Sequence, residues 1–201
     1  MGGSVRNDNL WGGTGNDTVT STAGGPDVVS GGTGNDVITT GADGDTVNGD
    51  DGNDVIEGSA GGDAIDGGAG FDTASYQFAG AAVTVSLAAG GGNGSGSAGD
   101  AAGDSLTGIE RLLGSDYADT LIGGAGMDKL WGGAGIDYFA FGNDAVQLGG
   151  RDEVMDFARG FDKLDLAGID ANTAAAGDQA FRLIGAKNFT KKAGELQVKA
   201  Y

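Results

Sequence analysis

The chain has 201 residues, with 44 glycines, one proline, no cysteine and no histidine; 29 acids against 11 bases leave a net charge of −18. Without cysteine there is no disulfide framework or thiol chemistry, and without histidine no H-E-x-x-H zinc site and no Ser-His-Asp or Cys-His nucleophile. No run of 18 apolar residues offers a membrane-spanning helix, and the acidic balance excludes nucleic acid and anionic lipid as main partners.

Aspartate then sets the organisation from the N-terminus. Asp8, Asp17, Asp27, Asp36, Asp45, Asp54, Asp63 and Asp72 are nine residues apart, with one step of ten between Asp17 and Asp27. An apolar residue follows two places after each: Leu10, Val19, Val29, Ile38, Val47, Ile56, Ile65 and Ala74. Glycine-rich turns precede them, as in Gly12-Gly13-Thr14-Gly15-Asn16-Asp17 and Gly31-Gly32-Thr33-Gly34-Asn35-Asp36. Residues 1–75 form a first repeat block. From 76 to 110 the phase is interrupted. Tyr76–Leu87, with alternating Val83, Val85 and Leu87, reads as a half-buried strand, and the Gly/Ala/Ser-rich residues 88–104 as a mobile loop. Ser105–Glu110 returns to the coil, and residues 111–139 form a second block, with Asp119, Asp128 and Asp137 in phase. Residues 140–201 carry short apolar runs (138–141, 152–157, 163–166, 181–184, 195–200), which fit a β-rich cap over the exposed end of a solenoid.

The period has a physical reading. Three residues of each nonapeptide make a short strand with one inward side chain, and six turn through half a circuit, where glycine meets the need for positive φ and close backbone approach. Two nonapeptides close one circuit, so loops stack 18 or 19 residues apart. One edge carries Asp17, Asp36, Asp54 and Asp72, the last closing its row; the other carries Asp8, Asp27, Asp45 and Asp63. Carboxylates and glycine carbonyls from stacked loops make an all-oxygen cage of the kind calcium takes. Charge is uneven: residues 1–104 hold a net of −14 and residues 105–201 a net of −4. Stacked carboxylates repel each other without a cation between them, so the N-terminal half is expected to be loose in the absence of divalent metal.

The nonapeptide G-G-x-G-x-D-x-U-x resembles the calcium-binding RTX repeat of parallel β-helices. From about Phe71 onward, the stretches FDTASY, VTVSL, GDSLTGIERLLGSDYADTLIGGAGMDKLWGGAGIDYFAF, RDEVMDFARGFDKLDLAGID and FRLIG…AGELQV resemble the C-terminal domain of serralysin-type secreted metallopeptidases. The resemblance implies an all-β fold, a right-handed parallel β-roll in two blocks loaded with calcium. It also implies export from a Gram-negative cell through type I secretion machinery. This fits a start, Met-Gly-Gly-Ser-Val-Arg, that has no apolar core of a signal peptide. In that family each ion lies between stacked loops, bound by loop carbonyls and by the aspartate of each. Carried over, the carbonyl positions fall on Gly12, Thr14, Gly31, Gly32, Thr33, Gly34, Gly49, Asp51, Gly52, Gly67 and Gly68, with Asp119/Asp137 and Glu110/Asp128 as pairs in the second block. About five to eight ions are expected. On the second edge the loops Thr22–Asp27, Thr40–Asp45 and Gly58–Asp63 depart from the motif, their glycines shifted. The family commonly continues into further strands and an uncleaved secretion signal, so the chain is expected to be a fragment.

The expected function is that of a non-catalytic calcium-binding module that folds on extracellular calcium after secretion, as the C-terminal part of a larger secreted protein. The alternative is a glycan-binding or surface-attachment module accompanying an enzyme or adhesin. A carboxylate pair for glycoside chemistry is formally available, but the aspartates in repeat phase are the metal positions and most other acids fall in loops. Trp11 and Trp131 each end a nonapeptide strand and should face outward, as edge-packing aromatics or as platforms for a sugar ring. Lys187, Lys191 and Lys192 form the one basic cluster, a solvated face or a contact for an anionic glycan. A Thr-Asn row of ice-binding type begins at Thr14/Asn16 and Thr33/Asn35 but fails at Asp51/Asn53.

Overall fold

The computed structural model describes residues 2–3, 6–87, 93–142 and 152–168 and the strands at 182–185 and 195–197, with side chains to residue 165. The basic cluster at 187–192 and part of the expected loop, 88–92, lie outside the described residues.

Each of the eight repeat aspartates of the first block stands immediately before a strand. Strands β1 (Asn9–Thr14), β3 (Val28–Thr33), β5 (Thr46–Asp51) and β7 (Ala64–Asp66) stack in parallel in one sheet. Strands β2 (Thr18–Ser21), β4 (Val37–Thr40), β6 (Val55–Glu57) and β8 (Thr73–Ser75) stack in parallel in the other. Asn9 pairs with Val28, and Val28 with Thr46, which are the 19- and 18-residue steps of a two-nonapeptide circuit. Each rung is tied to the next by its loop backbone as well: the amides of Val28, Val37, Thr46 and Val55 donate to the carbonyls of Asp8, Asp17, Asp27 and Asp36 at 2.9 Å.

The burial pattern explains how the roll forms a core from so little apolar sequence. In most three-residue strands the central residue alone is inward. Leu10, Val29, Val47 and Ile65 from one sheet meet Val19, Ile38, Ile56 and Ala74 from the other in a single core. Leu112, Leu121, Leu130 and Phe139 continue that core through the second block. A fully buried residue of this kind contributes roughly 1.5–3 kcal/mol.

After β8 the chain leaves the spiral and returns to it. Of the expected strand Tyr76–Leu87 only β9 (Thr84–Ser86) is a strand; it buries Val85, and Val83 and Leu87 are buried at its two ends. β11 (Ser105–Thr107) continues the first sheet against β7, and β12 (Arg111–Leu113) continues the second against β8. The stretch expected to be a mobile loop instead contains β10 (Gly94–Ala98) and a single 3-10 turn (Gly99–Ala101). β10 lies antiparallel between β9 and β11. Its glycines serve packing: a Cβ on Gly94 would stand 3.1 Å from Leu87 Cα and 3.2 Å from Leu106 Cβ. β13 (Thr120–Ile122), β14 (Lys129–Trp131), β15 (Tyr138–Gly142), β16 (Glu153–Val154) and β17 (Lys163–Gly168) then complete sheets of ten and seven strands. β18 (Arg182–Gly185) and β19 (Glu195–Gln197) form a separate parallel pair. The fold is an all-β parallel roll. Among the described residues no helix is long and apolar enough to cross a membrane.

Candidate metal centre

The aspartates form ladders down the two edges. The amide of Asp17 donates to Asp36 Oδ1 at 2.7 Å, Asp36 to Asp54 at 2.7 Å and Asp54 to Asp72 at 2.8 Å. On the opposite edge Asp8 donates to Asp27 at 2.7 Å, Asp27 to Asp45 at 2.7 Å and Asp45 to Asp63 at 2.8 Å. Neither row ends where spacing alone would end it. Asp72 donates to Glu110 Oε2 at 2.9 Å and Asp63 to Asp104 Oδ1 at 2.7 Å, so Asp72 does not close its row. In the second block Asp119 donates to Asp137 at 2.9 Å and Asp137 to Asp162 at 3.1 Å, while Asp128 donates to Asp152 at 3.1 Å. Strand β12, which follows Glu110, pairs with β14, which follows Asp128. Asp104, Asp152 and Asp162 were missed by nine-residue counting because they stand 41, 24 and 25 residues from their partners.

The second carboxylate oxygen distinguishes the edges. On the Asp17 edge Oδ2 of Asp17, Asp36, Asp54 and Asp72 is buried with no hydrogen-bond donor. Each faces the space left by the absent Cβ of the first glycine of its own loop, and the next loop's carbonyl enters the same space. At Gly31 these are Asp36 Oδ2 and Gly49 O, the latter 2.8 Å from where a Cβ would be; at Gly49 they are Asp54 Oδ2 and Gly67 O, the latter at 2.5 Å. Gly12 brings together Asp17 Oδ2 at 3.1 Å and Gly31 O; Gly67 brings together Asp72 Oδ2 at 2.8 Å and Gly108 O. Gly114 repeats this in the second block with Asp119 Oδ2 at 2.5 Å and Gly132 O at 2.7 Å. On the Asp17 edge a buried carboxylate oxygen without a donor, set beside a carbonyl oxygen, is a costly arrangement that a hard cation relieves. The loop residues fit calcium. Among the described residues no three carboxylates converge, so carbonyls would have to supply most of the ligands.

Further carbonyl positions lie along the same loops. The carbonyls of Thr33 and Asp51 accept from the amides of Gly15 at 2.7 Å and Gly34 at 2.8 Å, which leaves each a second lone pair. Gly32 and Gly34 have φ of 106° and 127°, and a Cβ on Gly34 would stand 2.5 Å from the Gly15 carbonyl carbon. The column of Thr14, Thr33, Asp51 and Ala69 is therefore held at a spacing only glycine neighbours allow.

The opposite edge is built differently. Ser21 Oγ donates to Asp27 Oδ2, and the amide of Gly41 donates to Asp45 Oδ2 at 3.3 Å. Beyond them Tyr76, fully buried, donates its hydroxyl to Asp104 Oδ2 at 2.6 Å. In the second block Ser115 satisfies Asp119, and the Gly124 amide donates to Asp128 Oδ2 at 3.0 Å.

Burial, with the neighbouring carboxylates adding to it, raises several of these acids above the ordinary carboxylate range. Asp54 is pushed up to about 6, Asp63 to about 7 and Asp137 to about 6. Asp45 and Asp72 are raised by the same causes, burial first. Asp119 and Asp104 also rise through burial.

A parallel roll whose stacked loops present buried carboxylate oxygens beside backbone carbonyls defines a calcium-binding solenoid. Four copies of the RTX calcium-binding nonapeptide repeat match residues 2–24, 21–56, 40–74 and 104–139, together more than half of the chain. The chain belongs to the RTX calcium-binding repeat family, and it is a calcium-binding module. No curated protein matches it.

Proposed function

We propose that the chain is a non-catalytic module whose folding is driven by extracellular calcium after type I secretion, as the C-terminal part of a larger secreted protein. The observation that carries this reading is the column of donor-less Oδ2 atoms at Asp17, Asp36, Asp54 and Asp72, each beside a carbonyl of the next loop. Calcium in these places supplies the positive charge that the column lacks. Asp and loop carbonyls hold the ion, the Asp amide–carboxylate ladder fixes the spacing between rungs, and the glycines keep the cradles clear. Extracellular modules bind calcium with Kd of about 10⁻⁴–10⁻³ M, so the sites would be empty in a cytosol and filled outside the cell. Limited proteolysis in chelator and in millimolar calcium tests the reading: calcium should convert rapid cleavage across residues 12–72 into resistance. Equal cleavage in both would refute it.

A second reading, glycan attachment, rests on Trp11. Trp11 is 70% exposed beside a shallow groove across β1, β3 and β5 that Ser30, Thr33, Asp50 and Asp51 also line. Asp50, bonded to Ser30 Oγ, has φ of 73°, the one positive φ among described non-glycine residues. An aromatic platform flanked by hydroxyls and carboxylates suits a neutral or amino-sugar chain and repels an anionic one. A glycan array run in calcium tests it: binding abolished by Trp11→Ala supports it, and no binding to any neutral or amino glycan refutes it.

A further inference from the structure

The two edges of the first block are not equivalent, and the difference lies in one position per loop. On the Asp17 edge the residue five before each aspartate is Gly12, Gly31, Gly49 or Gly67, and in every case the vacated Cβ space holds the aspartate's Oδ2 and a facing carbonyl. On the other edge the strand register places Ser21 against Thr40, and these residues occupy the corresponding column. Both are buried, and the Ser21 hydroxyl donates to Asp27 Oδ2. The Thr40 hydroxyl finds no partner among the described residues, and Asp45 Oδ2 takes its donor instead from the Gly41 amide at 3.3 Å. The next residue of the column is Gly58, and its cradle is taken by the Tyr76 ring, whose hydroxyl oxygen lies 3.1 Å from the place of a Gly58 Cβ.

We propose that the Asp27 and Asp45 loops hold no calcium, because the Ser21 hydroxyl and the Gly41 amide take the Oδ2 lone pairs and the Ser21 and Thr40 side chains stand where the other edge has glycine. The proposal rests on the calcium reading above and sharpens it: ions fill the Asp17 edge alone in this stretch, and the roll has a metal-gated edge and a permanently closed one. The physical basis is competition for the same lone pair. A donor on Oδ2, hydroxyl at Asp27 and backbone amide at Asp45, gives the carboxylate a hydrogen-bond partner without metal, and the extra side-chain atoms occupy the space in which an ion must meet the loop carbonyls. Asp63 marks the limit of the closed stretch, since its Oδ2 lacks a donor.

Two measurements test this. Crystals of the wild-type chain grown in calcium and exchanged with terbium should show anomalous peaks between the Asp17, Asp36 and Asp54 loops and none between the Asp27 and Asp45 loops. Calorimetric titration should then give at least one more calcium per chain for the Ser21→Gly/Thr40→Gly variant than for wild type, because glycine at both places recreates the open cradle. A terbium peak between the Asp27 and Asp45 loops of the wild type, or an unchanged calcium count in a folded double variant, would overturn the proposal. Where circular dichroism shows the double variant unfolded in calcium, the wild-type peaks decide alone. Absence of any calcium binding by the wild type would instead refute the calcium-folding reading itself.

Discussion

The amide of Asp36 donates to Oδ1 of Asp54 at 2.7 Å, and Oδ2 of both residues lies buried with no donor. One carboxylate thus has two separate oxygens to place: Oδ1 holds the rung behind it in register, and Oδ2 is the atom that the proposed reading gives to calcium. Asp36 lies inside its row, between Asp17 and Asp54, whereas Asp17 belongs to the outermost rung, since β2 ends its sheet. Asp36→Ala should therefore raise the calcium midpoint of folding more than Asp17→Ala. At calcium 100-fold above Kd, each independent ion lost costs about 2.7 kcal/mol. Equal midpoints for the two variants, titrated side by side, would contradict shared coordination.

The cradle itself is testable without touching a carboxylate. Gly31 is not among the glycines with positive φ, so alanine there introduces crowding rather than backbone strain. Its Cβ would press on Asp36 Oδ2 and the Gly49 carbonyl. Gly31→Ala should cost about 1–3 kcal/mol and shift the calcium midpoint upward. Gly80→Ala, where the Cβ meets nothing within 4 Å, should stay within about 0.5 kcal/mol. Chemical denaturation in calcium measures both.

Tyr76 crosses the core to donate to Asp104 Oδ2 at 2.6 Å. Tyr76→Phe keeps the ring and strands a buried carboxylate oxygen, which should destabilise the calcium-loaded protein by about 1–3 kcal/mol. Calcium stoichiometry should not change, because the hydroxyl serves Asp104 and lies off the Asp17 row. A neutral effect on the denaturation midpoint would show that Asp104 finds another partner.

Protons should partly replace the metal. Asp54, Asp63 and Asp137 stand at about 6, 7 and 6 in the folded chain, against 3.8 ordinarily. Between these limits the folded, metal-free chain binds more protons than the unfolded chain, so its stability falls as pH rises. The contribution is complete below about pH 4 and lost above about pH 7. In chelator, strand signal by circular dichroism should be greater at pH 5 than at pH 8. In calcium, protons compete for the same oxygens, and the calcium midpoint should be higher at pH 5. A strand signal that grows from pH 5 to pH 8 in chelator would contradict this.

Much of this was legible in the sequence because the period is geometric. Nine residues per half circuit place Asp17 over Asp36 and Val29 over Val47, and the structure has both relationships. The failures came where the period breaks. Gly94 and Gly96 look like linker residues by composition, yet a β-strand squeezed between neighbours also selects glycine, and no local signal separates the two. Asp104 re-enters its row after the excursion through β9 and β10, so only the pairing of β11 with β7 reveals it; Glu110 was legible as the partner of Asp128, but its place next to Asp72 follows only from the pairing of β12 with β8. The loops Thr22–Asp27 and Thr40–Asp45 were readable as departures from the motif; that Ser21, just before the first of them, reaches Asp27 was not.

On the proposed reading, calcium folds this chain. Far-UV circular dichroism in chelator and then in rising calcium, at pH 7.5 with magnesium as control, tests it most directly. Stacked sites share loops, so strand signal should appear steeply, with a Hill coefficient above one. Magnesium, which keeps its waters and demands a tighter octahedron, should not replace calcium. A chain that is fully folded and melts cooperatively in chelator would show that calcium only decorates a roll already formed.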